Sequence, residues 1–467
     1  MWTMELLRRR LTGSARGQMT IVVALVLVVL VGMAGLAIDS GRAYGVKAKL
    51  NAAVDAASLA GARALAEGDD DAARIAHASA TAERFFAANY PNGFLGSEPG
   101  PIQTIAEHDA AGFWRVTVNG SAVMPVTLLR VLLPAPGPVT VVASSQALRR
   151  DVDVMLVLDT SGSLGPPTSP HDTLAKLKVA AINGFVAHFS AAPGGDRVGL
   201  VAFASGAVLS VPIDKTAHRG FVRTNGGHTG VVDQVQALTI SGSTAQAEGL
   251  RRGLDEINQV PQHLRSSLRV ILLFSDGAPN GVSGTFTRSS GGGGGGGGGT
   301  AEVVGSLYSE TDGPGNARAT RLFRADRRDS AHGTYDDIAS LPATGLGNVA
   351  LAGARGLGAG PPYGNTRCNV NKAARNMVEN VANQARNQGI MVYTVGLGAR
   401  LNSLEVTFCG YGNAERGANI LRRVANDRSA DTHDPSDPIG RYCYAADADE
   451  LKACFSEIAS EVLRLTM

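Results

Sequence analysis

From Gly17 to Ile38 the chain reads GQMTIVVALVLVVLVGMAGLAI, 22 residues without a charge. As a helix this run rises roughly 33 Å, against a hydrocarbon core of about 30 Å. Almost nothing on it is polar, so it suits a bilayer better than a soluble core, where one face would meet water. A cleaved secretory signal is the competing reading, but its apolar region normally spans about 7–15 residues before a small-x-small site. Here the run is longer, and the helical pattern continues beyond it. Arg8, Arg9, Arg10 and Arg16 precede it. Basic residues stay on the cytoplasmic side. That predicts a cytoplasmic tail over 1–18, a transmembrane helix over 19–38 and an exported remainder.

After Asp39 the spacing of Val46, Leu50, Ala53, Ala57, Ala60 and Ala64 is that of one helix face. An alanine stripe lets a neighbour approach closely. That neighbour is either the helix's own domain or a second helix, and both readings stay open. A further helix is expected over 70–90, with Ile75, Ala78, Ala82 and Phe86 on one side. The triple aspartate at 69–71 reads as a helix start at the positive end of the dipole rather than a calcium site. Residues 91–101 read as loop, Phe113 to Val118 as a strand closed by a tight turn at Asn119-Gly120, and 139–144 as another strand. Residues 39–150 thus form an α+β region.

From 151 strands and helices alternate. Strand candidates are 152–159, 196–204, 207–213, 268–275 and 390–396. Between them run amphipathic helices marked by Leu174, Leu177, Ala181, Phe185 and Phe189, then by Leu250, Leu254 and Ile257, and then by Ala374, Met377, Val378, Val381 and Ala385. The last carries Leu451, Phe455, Ile458 and Val462, with a capping-box pattern at Asp447 and Glu450. Near-continuous apolar strands separated by helices mean a parallel sheet covered on both faces, a doubly wound, Rossmann-like α/β domain over 151–467. Between Asn280 and Cys368 the rhythm breaks around nine glycines at 291–299. No GK[ST] follows them, so they do not read as a phosphate loop. The stretch 281–368 is expected to be a long loop insertion, partly disordered.

Cys368, Cys409, Cys443 and Cys454 all lie in the C-terminal part, and none forms a CxxC pair, which disfavours structural zinc. Outside the cytoplasm they would form disulfides, with three pairings open if all four pair. Cys454 also fits as a small buried residue on an apolar helix face. A net charge of +2 without a basic stripe gives no sign of a nucleic-acid partner.

Ligands of open parallel sheets bind beyond the carboxyl ends of the strands. Three such places carry oxygen donors: Asp159-Thr160-Ser161-Gly162-Ser163, Ser241-Gly242-Ser243-Thr244 and Ser275-Asp276-Gly277. They hold no sulfur and no imidazole, which suits Mg²⁺, Mn²⁺ or Ca²⁺ and disfavours zinc. Only two carboxylates are present, so the ion stays electron-poor and leaves positions to water, one of which a partner's carboxylate can replace. Asp-Thr-Ser-Gly resembles the Asp-Thr-Gly of aspartic proteases, but a serine interrupts it and no second copy supplies the paired carboxylate. Serine hydrolysis would need a histidine base and a G-x-S-x-G elbow. His171 and His188 sit on or before a helix instead. The chain is therefore not read as an enzyme.

Asp159-x-Ser161-x-Ser163, a distant Thr244 and Asp276-Gly277 resemble the metal-ion-dependent adhesion site of the von Willebrand factor A domain. The resemblance covers 151–280 and 370–467. It implies that Ser161, Ser163 and Thr244 contact the metal, with Asp159 and Asp276 acting mainly through water. The N-terminal part, about 1–66, is similar to the TadE/TadG-like proteins of Flp (tight-adherence, type IVb) pilus assembly. The matching features are the Arg-Gly-Gln entry, the apolar run, the Gly-Leu-Ala-Ile-Asp exit with Gly41-Arg42, and the alanine-rich helix carrying Asp55. Val22 stands where pre-pilin-type segments carry a glutamate, which argues against processing at Gly17. TadG-like members can combine such an anchor with a von Willebrand A domain. The resemblance implies a single-pass bacterial inner-membrane protein, with a pilin-like α+β region and a periplasmic adhesion-type domain. Its metal would dock an exposed Asp or Glu of a pilus or secretion component. The alternatives are a surface adhesin or matrix-binding protein using the same site, and a chaperone-like module, which would normally be cytoplasmic. Protease access to 291–299 on intact cells separates the adhesin, and the arginine bias opposes the module.

Overall fold

The computed structural model describes residues 4–65, 71–108, 113–127, 137–165, 173–189, 195–215, 221–222, 224, 229–289, 300–310, 314–404, 409–410 and 415–465. The chain forms two compact units, one of Met1–Leu65 with Ala72–Arg149, the other of Ala66–Asp71 with Arg150–Met467.

In the first unit α1 is one helix, Met4–Ala64. From Met19 to Ile38 its large apolar side chains are exposed, 70% at Met19 and 44% at Val31. By length and composition this stretch can cross a membrane. Beyond Asp39 the same helix turns a buried face to its own unit, with Val46, Leu50, Ala53, Ala57, Ala60 and Ala64 all in the core. The alanine stripe therefore packs within its unit. Asp39 and Arg42 hold the changeover: Thr127 Oγ1 donates to Asp39 Oδ1 at 2.7 Å, and Arg42 donates to Thr127 Oγ1 and to the Leu95 carbonyl, each at 2.7 Å.

Helix α2, Asp71–Asn89, buries Ala78, Ala82 and Phe86, but Ile75 is exposed. Asp71 is its first residue; positions 69 and 70 lie outside the described residues. Strands β1 (Glu98–Pro99), β2 (Gln103–His108), β3 (Phe113–Met124) and β4 (Val139–Arg150) form a sheet in which β3 pairs with the other three. The expected turn at Asn119-Gly120 is not there, because β3 runs straight through it and Asn119 pairs with Gln103. Pairing on both sides of β3 overrides the local turn preference. Gly120 instead gives the helices room, since a Cβ there would lie 2.9 Å from Val54 and 3.2 Å from Phe86.

In the second unit the order is β5 (Val152–Asp159), α3 (Thr173–Val179), β6 (Arg197–Phe203), β7 (Ala207–Val211), α4 (Val231–Gln236), α5 (Gln246–Asn258) and β8 (Leu268–Ser275). The insertion supplies β9 (Gly281–Ser289), β10 (Thr300–Tyr308), β11 (Arg321–Phe323), β12 (Ala331–Thr334), β13 (Ser340–Leu341) and β14 (Tyr363–Gly364). Then come α6 (Arg367–Arg386), β15 (Met391–Leu397), α7 (Gly417–Ala425), β16 (Tyr442–Ala445) and α8 (Leu451–Leu465). The main sheet has the order β16-β15-β8-β5-β6-β7 and is parallel except for β7. Side chains alternate across it, as the strand period requires. Met155, Val157, Phe203 and Leu273 enter the core shared with α5, α6 and α7, whereas Val154, Leu156, Leu158 and Phe274 enter the one shared with α3, α4 and α8. This is a doubly wound α/β domain.

The insertion is more ordered than its composition suggests. Strands β9 to β12 form an antiparallel sheet, and Val282, Phe286, Leu307, Leu322 and Ile338 are buried in one core with α5 and α6. The glycine run expected to be mobile lies outside the described residues. Two disulfides, Cys368–Cys409 and Cys443–Cys454, select one of the three pairings. Cys454 is also buried on the apolar face of α8.

Candidate metal centre

The chain leaves β5 for β6 on one side of the sheet and reaches β8 on the other, while β5 and β8 pair directly in parallel. Their carboxyl ends therefore flank the point where strand order reverses, the place where open α/β sheets hold ligands. Asp159 ends β5; Ser275 ends β8 and Asp276 follows it.

Asp159 is fully buried. Its Oδ1 accepts the Ser161 N–H at 2.7 Å, and its Oδ2 accepts the Ser275 hydroxyl at 2.5 Å. The hydroxyls of Ser161 and Ser163 lie 3.0 Å apart, and Ser163 Oγ donates to Asp276 Oδ1 at 2.7 Å. Four of the five motif residues thus form one continuous chain of polar contacts. Ser161, Thr244 and Asp276 are buried while Ser163 is exposed, so the cluster opens to solvent on one side.

Thr244 is brought in through its backbone. Ser241 N–H donates to the Thr160 carbonyl, and Gly162 N–H to the Gly242 carbonyl, both at 2.9 Å. Thr244 N–H donates to Asn280 Oδ1 at 2.9 Å, and Asn280 N–H returns to the Thr244 carbonyl at 3.0 Å. Gln246 Nε2 donates to Ser275 Oγ at 2.8 Å and to the Gly277 carbonyl at 2.6 Å, tying the end of β8 to α5. All five motif positions therefore meet at one end of the sheet. Gly242 has φ +76°, and a Cβ on it would lie 2.5 Å from Ser205 Oγ, so the loop needs glycine there. Gln246 and Asn280 were missed in the sequence, whereas Ser275 already stood among the oxygen donors named there. Their only signal was a hydrogen-bonding side chain beside a motif residue.

The electrostatics are unbalanced. Burial, and then the charge of Asp276, push Asp159 up to about 7, against the lowering effect of hydrogen bonds from Ser161 and Ser275. Two carboxylates share the cluster with hydroxyls, a repulsion that a divalent cation relieves. The donors are hard oxygens, and the set fits Mg²⁺, Mn²⁺ or Ca²⁺. Among the described residues no group of three or more His, Cys, Asp or Glu side chains assembles a rival site. The hydroxyl of Ser161 meets that of Ser163, not an imidazole. His188 lies in the turn over 186–188 that follows α3 and its π-helical continuation, and His171 lies outside the described residues.

Residues 17–64 match the model of the putative Flp pilus-assembly TadE/G-like family, and residues 154–278 match that of the von Willebrand factor type A domain. No curated protein matches the chain. Among solved structures it is similar to the PilB minor pilin from Streptococcus sanguinis, at 14% identity over 79% of each chain with a TM-score of 0.37. It is similar to the vWF domain of the type V pili tip protein Mfa5 from Porphyromonas gingivalis, at 16% identity over 69% of this chain and 98% of that one, TM-score 0.36. It is also similar to proximal thread matrix protein 1 from the mussel byssus with a zinc-occupied MIDAS motif, at 14% identity and TM-score 0.31. That match covers 68% of this chain and 46% of the byssus protein.

Proposed function

We propose that this chain, a TadE/G-like segment joined to a von Willebrand factor A domain, is a membrane-anchored, metal-dependent protein-binding component of Flp/Tad pilus assembly. Ser161, Ser163 and Thr244 would hold Mg²⁺, or Mn²⁺ or Ca²⁺, with Asp159 and Asp276 supporting them. The cation would supply an electron-poor face for an exposed Asp or Glu of a pilus or secretion component. The observation that carries this reading is the polar chain from Asp159 through Ser161 and Ser163 to Asp276, in which burial and then an acidic neighbour raise the Asp159 carboxyl.

The anchor is the exposed apolar stretch 19–38 of α1, in the bacterial inner membrane, with the N-terminus cytoplasmic and the second unit periplasmic. The arginines before the apolar run support that orientation. Both disulfides lie in the second unit, which fits an oxidising compartment. A C-terminal phosphatase fusion should be active only if that end is exported.

The direct test is capture of proteins from membranes in Mg²⁺ and in EDTA. Wild-type protein should retain its partner only in Mg²⁺, and the double variant Asp159→Ala, Ser161→Ala should lose it while still inserting in the membrane. Capture that persists in EDTA would remove the metal from the account.

A further inference from the structure

Arg328 lies in the turn that joins β11 to β12 in the insertion, yet it reaches two loops of the candidate metal centre. Its Nη1 donates to the Thr239 carbonyl at 2.6 Å and lies 3.5 Å from Thr160 Oγ1, and its Nη2 donates to Thr239 Oγ1 at 2.9 Å. Thr160 stands between Asp159 and Ser161, and Thr239 leads into the loop that carries Thr244. The Arg328 carbonyl accepts the Ser205 N–H at 2.8 Å, and Ser205 Oγ accepts the Ser243 N–H at 2.9 Å. One residue therefore links three segments around the site.

The turn is seated closely. Ala207 N–H donates to the Ala325 carbonyl at 3.0 Å. A Cβ on Gly206 would lie 2.4, 2.5 and 2.8 Å from the carbonyl oxygens of Arg324, Arg327 and Ala325. Only glycine at 206 lets the turn rest there.

We propose that this turn is a wall of the metal centre, and that Arg328 is a positioning residue holding the Thr160 and Thr239–Thr244 segments in the geometry the cation needs. The proposal rests on the metal reading above. A guanidinium at this place acts in two opposing ways. As a charge it disfavours the cation, but it is only half-buried, so solvent and salt screen that effect. As a planar fork it fixes two loops whose hydroxyls must converge, and holding a site in its bound geometry raises affinity. Contacts to both loops favour the second effect. A site preset in this way would bind its cation before any partner arrives.

The test uses the full-length protein in detergent, titrated with Mn²⁺ while free Mn²⁺ is read by electron paramagnetic resonance. Each variant's melting temperature is recorded in EDTA. Arg328→Ala should weaken Mn²⁺ binding about tenfold, the effect of losing charge-assisted hydrogen bonds. Gly206→Ala displaces the turn without removing the charge and should weaken binding in the same direction. Arg328→Lys should restore part of the affinity. Melting in EDTA should stay near wild type for the two Arg328 variants, whereas Gly206→Ala, which displaces the turn's backbone contacts, should also melt lower. Wild-type or tighter binding by Arg328→Ala overturns the proposal, and so does a lysine variant no better than alanine. If Arg328→Ala does not fold, Gly206→Ala and Arg328→Lys decide, and unchanged affinity in both overturns it. If wild-type protein itself binds no Mn²⁺, the metal reading falls, a result distinct from the loss of Arg328's role alone.

Discussion

Two charged clusters in the second unit are built on opposite principles. The first joins Arg355, Arg375 and Arg423 to Glu379, Glu415 and Asp431. Arg355 pairs with Glu379 and with Glu415 at 2.8 Å each, Arg375 with Glu415 at 3.1 Å, and Arg423 with Asp431 at 2.7 Å. Burial alone would push Glu415 up, but hydrogen bonds and charges from Arg355 and Arg375 hold it below the ordinary carboxylate range. The second cluster is Asp159 with Asp276 and the serines, where burial and a like charge push a carboxylate up to about 7. In the first, each carboxylate has an arginine. In the second, the contacts given for Asp159 are with hydroxyls, a backbone N–H and another acid. The balanced cluster fastens α6 and α7 to their loops, whereas the second leaves a raised carboxylate at the place proposed for the cation.

The largest expected effect falls on the balanced cluster. Glu415→Gln leaves the fully buried Arg375 and the nearly buried Arg355 without a shared carboxylate, which should cost about 3–5 kcal/mol in chemical denaturation. Mn²⁺ affinity should not change. A loss of stability close to zero would break the contrast.

The pH dependence comes next, and the two clusters should differ in sign. Asp159 titrates higher in the folded protein than its usual 3.8. The Asp159 contribution to the stability of metal-free protein should therefore be fully present below about pH 4 and be lost as pH rises toward 7, by at most about 1.4 kcal/mol per pH unit. Saturating Mg²⁺ should flatten that slope. Glu415 is depressed from 4.5, so its contribution is present above that value and lost as pH falls through the lower folded one. Comparing the pH–stability curves of Asp159→Asn and Glu415→Gln with wild type separates the two, and slopes of the same sign would contradict the scheme.

Asp276→Asn should act in two directions. It should abolish the Mg²⁺-dependent rise in melting temperature. In EDTA at pH 8 it should stabilise the protein by about 1 kcal/mol, through relief of like-charge repulsion. A variant less stable than wild type in EDTA would mean that Asp276 is structural. The smallest effect belongs to Arg324 and Asp326, an exposed pair at 3.2 Å. Asp326→Ala should cost under about 0.5 kcal/mol, because solvent screens the pair, and a larger loss would mean that the Arg328 turn depends on it.

Much of the sheet could be read in advance because its strands are nearly all apolar. Residues 152–159 and 268–275 coincide with β5 and β8. The motif was legible because its residues lie at or just after strand ends or, for Thr244, just before the helix beside them, where order along the chain becomes proximity. The turn expected at Asn119-Gly120 failed because the preference of two residues lost to pairing along a whole strand. The insertion's sheet was hidden by polar strands such as β12 and by the adjacent glycine run. Strand β16 is only Tyr442–Ala445, too short to show a period. Arg328 carried no signal at all, since its side-chain partners lie 89 and 168 residues away.

The most direct measurement is anomalous diffraction from crystals of the protein grown with Mn²⁺. The account predicts one strong peak enclosed by Asp159, Ser161, Ser163, Thr244 and Asp276, lost in crystals of the Ser161→Ala variant. No peak at the ends of β5 and β8, with Mn²⁺ found elsewhere or nowhere, would contradict it.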